Sequence, residues 1–242
     1  MLVENKFLFI SLPRCASTSF YISCLRSGFE IKHFNQPLID SYQDKIDLSL
    51  INEDLADNII HSHETVVDLT MKFGDECDII SIRRNKHERF ISLWKHIIDL
   101  TDMLYPKELT NIFKKLTLED ILFFKDLDLI SIKSQELLLF EFAKKNKIEK
   151  YFNDYMKNLL LILFRPISYW HNNNQKIKWF EFGKFEELEE WVSNKTGKPF
   201  KMEKSNGSQH FDCNLKMDDD FIKRYNNIYD YYDIQKNNRT LI

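Results

Sequence analysis

Arg14, Ser17, Thr18 and Ser19 stand together in the stretch PRCASTS, residues 13–19, and Arg84, Arg89 and Ser92 stand together in SIRRNKHERFISLWKH, residues 81–96. Both groups pair guanidinium donors with hydroxyls, which is the chemistry of anion recognition. An arginine fork matches two phosphate or sulfate oxygens at once. Hydroxyls at the first turn of a helix add donors beside backbone N–H groups that have no intrahelical partner. Between the two groups lies His61-Ser62-His63, followed by Glu64. Imidazole, with an ordinary pKa of about 6.5, can take a proton from a hydroxyl near neutral pH. Plainer readings exist for each group: Ser17 or Thr18 as a helix cap, the arginines as a solvated basic face, the histidines as surface or structural residues.

The elements that must position these groups are written in the hydrophobic pattern. Phe7, Leu8, Phe9, Ile10 and Leu12 form a nearly continuous apolar run, the signature of a strand buried on both faces. Pro13 ends it, and an amphipathic run closed by Gly28 follows. The result is a strand-loop-helix that aims the positive end of a helix dipole at residues 13–19. Residues 77–82 (CDIISI) read as a second buried strand, ending in Arg83 and Arg84. In residues 86–103, Phe90, Ile91, Trp94, Ile97, Ile98 and Leu100 recur at helical spacing.

Further strands are expected at 29–34, 58–63 and 177–182, and further helices at 64–73, 118–124, 131–145, 151–161, 185–194 and 218–232. This alternation predicts an α/β fold: one domain over residues 1–242, with a parallel sheet flanked by helices and a helix-rich region around 104–169. Ligands in such folds sit beyond the carboxyl ends of the strands, where both arginine groups fall.

Composition narrows the class. With 242 residues, 43% apolar and 29% charged, the chain is an ordinary globular sequence. A net charge of −3 offers no electrostatic argument for binding nucleic acid or an anionic membrane. Cys15, Cys24, Cys77 and Cys213 show no CxxC spacing, which opposes a disulfide framework or a zinc site. The longest apolar run, residues 159–164, falls far short of the ~18 residues of a membrane span. A cytoplasmic protein with no stable membrane insertion and no nucleic-acid partner is the expectation.

Together the two motifs resemble those of the sulfotransferases that use 3′-phosphoadenosine 5′-phosphosulfate (PAPS), in particular the carbohydrate type with a P-loop-like fold. That family carries Pro-Lys/Arg-x-Gly-x-Thr-Ser after its first strand and Arg-Asn/Asp-Pro-x-x-Arg-x-x-Ser-x-Tyr after a later one. The chain has Pro13-Arg14-Cys15-Ala16-Ser17-Thr18-Ser19 and then Arg84-Asn85-Lys86-His87-Glu88-Arg89-Phe90-Ile91-Ser92-Leu93-Trp94. Three departures stand out: Ala16 in place of glycine, Arg14 where many members carry lysine, and Lys86 in place of proline.

The resemblance implies roles. Arg14 would meet the bridging and leaving phosphate oxygens, and Cys15, Ala16, Ser17, Thr18 and Ser19 would line the 5′-phosphate. Arg84 and Ser92 would hold the 3′-phosphate. Ser205 and Asn206 resemble a late loop that folds over the nucleotide. His63 would be the general base, supported by His61, with Glu64 as the local substitute. The donor would be PAPS and the product PAP. The acceptor would be a hydroxyl, expected on a carbohydrate, with no metal required. Trp170 and His171 could face a sugar ring, although core packing suits the tryptophan better.

Two alternatives stay open. A P-loop nucleotide or sugar kinase would need the GxxxxGK-Ser/Thr ending and a carboxylate for Mg²⁺, and these are missing. The other is a catalytically silent protein that binds PAP.

Overall fold

A computed structural model describes residues 1–32, 65–116, 120, 132–152, 160, 162–163, 167–171, 176–203, 219–220, 222–223 and 225–226. Along the chain these form β1 (Leu2–Val3), β2 (Phe7–Ile10), α1 (Ser17–Arg26), β3 (Ile31–Lys32), α2 (Val66–Phe73), β4 (Asp78–Arg83), α3 (Lys86–Leu104), α4 (Lys107–Lys115), α5 (Ile132–Lys145), a 3-10 turn (Glu149–Tyr151), α6 (Ser168–His171), β5 (Ile177–Glu181) and α7 (Glu186–Thr196). The chain divides into two compact units: Met1–Asn85 with Ile167–Gly207, and Lys86–Pro166 with Ser208–Ile242. Among the described residues, no helix is long and apolar enough to cross a membrane.

The first unit holds the sheet, in the order β3-β1-β2-β4-β5. The fold is α/β, as expected, but the sheet is mixed. β2, β4 and β5 run parallel, whereas β1 is antiparallel to both β2 and β3. The cause is a hairpin that the sequence pattern did not mark. Glu4 and Asn5 both take positive φ (51° and 52°), and the Lys6 N–H closes the turn on the Val3 carbonyl at 2.8 Å. Two left-handed central residues make a type I′ turn, whose twist suits a two-residue hairpin. The strand expected at 29–34 reduces to Ile31–Lys32 among the described residues.

All four residues of β2 are buried, as its unbroken apolar run predicts. On one face of the sheet, Phe7, Phe9, Ile80, Ile82 and Phe180 pack with Phe20, Tyr21, Leu188 and Val192 from α1 and α7. Phe9 and Phe20 stack with centroids 4.0 Å apart, fixing α1 against β2. The end of α1 explains why Gly28 matters. Gly28 takes φ +68°, its N–H donates to the Leu25 carbonyl, and the Phe29 N–H donates to the Cys24 carbonyl. That pair of bonds is a Schellman motif, which needs a left-handed residue at this position. α2 opens with a capping box between Thr65 and Asp68.

The second unit is helical. α3 matches its expected span closely and buries Phe90, Leu93, Trp94, Ile97 and Ile98 against Leu109 and Phe113 of α4 and Leu139 and Phe142 of α5. Trp94 and Phe113 stack at 5.6 Å. Tyr225 packs tilted on Phe90 at 4.8 Å and edge-on to His87 at 5.5 Å, and His87 Nε2 is hydrogen-bonded to Asn226 Oδ1 at 2.8 Å. Tyr225 and Asn226 thereby fasten the first turn of α3.

Candidate functional site

The loop leaving β2 is tight and strained. Its turn closes with the Cys15 N–H on the Leu12 carbonyl at 3.2 Å, and both Arg14 (φ +62°) and Ala16 (φ +61°) are left-handed. For residues with a Cβ this conformation costs roughly 1–2 kcal/mol each, and such strain concentrates at functional sites. Ala16 is also the residue before α1, where it makes no side-chain cap bond. Having no side-chain oxygen, it leaves the approach to the first N–H groups of α1 open on that side. Exposure alternates along the loop: Arg14, Ala16 and Thr18 are half-buried, while Cys15, Ser17 and Ser19 are buried. The Cys15 thiol therefore faces the interior, and that residue can offer a ligand only its backbone. Cys24, behind it on α1, is inert as a nucleophile, because burial and then the Glu4 charge push its thiol well up.

β4 lies beside β2 in parallel register, Phe7 with Asp78 through Ile10 with Ser81, so their carboxyl ends coincide. Adjacent strands are spaced by about 4.8 Å. The Arg14 loop and Arg84 thus leave neighbouring strands from the same end of one sheet. β5 flanks β4 on the other side, with Arg83 opposite Glu181. Arg83 Nε donates to Glu181 Oε1 at 2.5 Å. At the next position, the Arg84 guanidinium carbon lies 4.4 Å from the centroid of the Phe182 ring. The Phe182 N–H donates to the Arg83 carbonyl at 2.8 Å, extending the ladder by one bond.

Ser92 lies on α3, half-buried, in the second unit, whereas Arg84 belongs to the first. Arg89, one turn into the same helix, is fully buried. His61, His63, Glu64, Ser205 and Asn206 lie outside the described residues. The segment that runs toward Ser205 is tied down as far as Glu203. The Phe200 N–H donates to Ser193 Oγ at 3.0 Å, the Met202 N–H to Glu189 Oε1 at 3.0 Å and the Glu203 N–H to Ser23 Oγ at 2.8 Å. Arg26 pairs with the Glu203 carboxylate. Trp170 is 1% exposed, so its ring serves the core and not a sugar. His171 packs edge-on to Trp179 at 5.4 Å.

Phe182 is the residue that sequence reasoning passed over. Its signal was the last apolar position of the alternating run IKWFEF, set just before Gly183. No protein-family model matches the chain, and neither the curated proteins nor the solved structures include a significant match to it.

Proposed function

We propose that the first unit binds the phosphates of PAPS and that the protein is a sulfotransferase acting on a hydroxyl, with a carbohydrate as the expected acceptor. One observation carries this reading: a strained loop bearing Arg14 at the start of α1, and Arg84 one residue beyond the adjacent parallel strand β4, leave the same end of the sheet. An anion site of that kind has two arms. The helix start and its hydroxyls suit the 5′-phosphate, and Arg84 suits the 3′-phosphate that ATP lacks.

In the proposed reaction the acceptor oxygen attacks sulfur in line. A new S–O bond forms as the bond from sulfur to the bridging phosphate oxygen breaks, and that electron pair stays on PAP. Arg14 offsets the charge developing on the leaving phosphate. His63 takes the acceptor proton, with His61 or Glu64 in reserve. Ser205 and Asn206, also within the first unit, complete the donor set that the sequence resemblance implies there.

The test is turnover of PAPS to PAP by purified protein against a glycan panel, with Arg14→Ala and His63→Ala expected to abolish it. Calorimetry with PAP against ATP–Mg²⁺ separates this reading from a kinase. PAP binding without transfer to any acceptor would instead mark a silent binding protein.

A further inference from the structure

We infer that Ser23 is a positioning residue of the donor site, fixing the point on α1 from which the chain enters the Ser205–Asn206 loop; this deepens the proposed donor reading and rests on it. Ser23 lies in the second turn of α1 and is 1% exposed. Its hydroxyl donates to the Ser19 carbonyl at 2.7 Å and accepts the Glu203 N–H at 2.8 Å. A hydroxyl has one proton, and the Ser19 carbonyl takes it, so toward Glu203 the oxygen acts as an acceptor. The result is a two-bond relay from the Glu203 backbone to Ser19, one of the residues that the sequence resemblance assigns to the 5′-phosphate. Alanine is the better helix former at an interior position. A buried serine there is explained by the bond it accepts, not by the helix.

The segment that Ser23 holds has its register set by side chains. Residues 198–203 form neither helix nor strand. The Phe200 N–H meets Ser193 Oγ and the Met202 N–H meets Glu189 Oε1, both on α7, before the Glu203 N–H meets Ser23. Lys198 Nζ reaches the Gly28 carbonyl at 3.0 Å, just past the end of α1, and Phe200 packs against Phe29 and Phe20 with centroids 5.7 and 5.4 Å away. The chain thus passes from the end of α1 back to its second turn. Arg26 pairs with the Glu203 carboxylate, but both side chains are exposed, and such a pair contributes little. Ser205 follows Glu203 by two residues, a span of at most about 7 Å, so the backbone bond at Glu203 sets the root of the loop.

Calorimetry with PAP on the full chain tests the inference. Ser23→Ala, which adds no volume, is expected to weaken PAP binding about two- to tenfold, the worth of one hydrogen bond. In a Ser205→Ala/Asn206→Ala background the same change is expected to weaken it no further, because the side chains that Ser23 positions are already gone. Ser23→Thr, whose hydroxyl can still bond the carbonyl four residues back, is expected to bind PAP as the wild type does even where its extra methyl group lowers the melting temperature. PAP affinity that simply follows the melting temperature across these variants would overturn the inference in favour of a role in the fold alone.

Equal losses from Ser23→Ala in both backgrounds would also overturn it, because Ser23 would then act on α1 itself. So would unchanged PAP binding in Ser23→Ala, or in Ser205→Ala/Asn206→Ala, when Arg84→Ala has lost it; either result leaves the donor reading standing. Absence of PAP binding by the wild-type protein would bring down the donor reading and the inference together.

Discussion

The Ser81 hydroxyl donates to the Ile10 carbonyl at 2.8 Å inside the sheet, joining the two strands whose ends carry the Arg14 loop and Arg84. Ser81 is fully buried. Ser81→Ala removes the bond without adding volume and is expected to cost about 1 kcal/mol. Urea denaturation should show a lower midpoint with an unchanged slope.

Strain and function separate in the loop. Ala16→Gly relieves a left-handed residue that has a Cβ, and the gain is partly offset by greater freedom in the unfolded chain. A net stabilisation of about 0.5–1 kcal/mol with PAP affinity retained is expected. Arg14→Gly should stabilise in the same direction yet abolish turnover. A thermal melt paired with a PAPS assay on each variant reads both effects.

Glu4 links stability to pH. Burial raises its carboxyl pKa, but hydrogen bonds from Lys198 Nζ and the Glu30 N–H, with the charges of Lys198 and Lys6, outweigh this and hold it below the usual 4.5. A carboxyl whose folded pKa is depressed contributes stability that is present above its unfolded pKa and lost as pH falls through its folded pKa. Wild type should therefore exceed Glu4→Gln in stability when measured at pH 6, and the margin should be smaller when measured at pH 3. Urea midpoints at the two pH values give the comparison; a gap that widens on acidification contradicts the assignment.

Trp170 offers a test of core against acceptor. It is buried in the first unit, so Trp170→Ala is expected to cost about 3–5 kcal/mol. The milder Trp170→Phe should lower the melting temperature and leave the acceptor KM unchanged. A raised KM with an unchanged melting temperature would return the ring to the acceptor site.

The strand-loop-helix at residues 7–26, and the strand and helix flanking Arg84, were legible because their signals are local. An unbroken apolar run, Pro13, the left-handed requirement at Gly28 and the 3.6-residue spacing from Phe90 to Ile98 each act within a few residues. α4 escaped notice because Leu109, Ile112 and Phe113 are a sparse apolar stripe in a nine-residue helix. The hairpin of β1 escaped because Glu4-Asn5 is not a glycine-bearing turn pair.

From sequence alone came the residue types of an anion site and the two strand ends on which they sit. Only the tertiary structure decided that those ends belong to neighbouring parallel strands, that Cys15 turns inward, that Trp170 is core, and that Arg84 rests on Phe182. The reason is register: Arg83 and Glu181 are 98 residues apart, and their meeting depends on how β4 and β5 align, which no local pattern encodes.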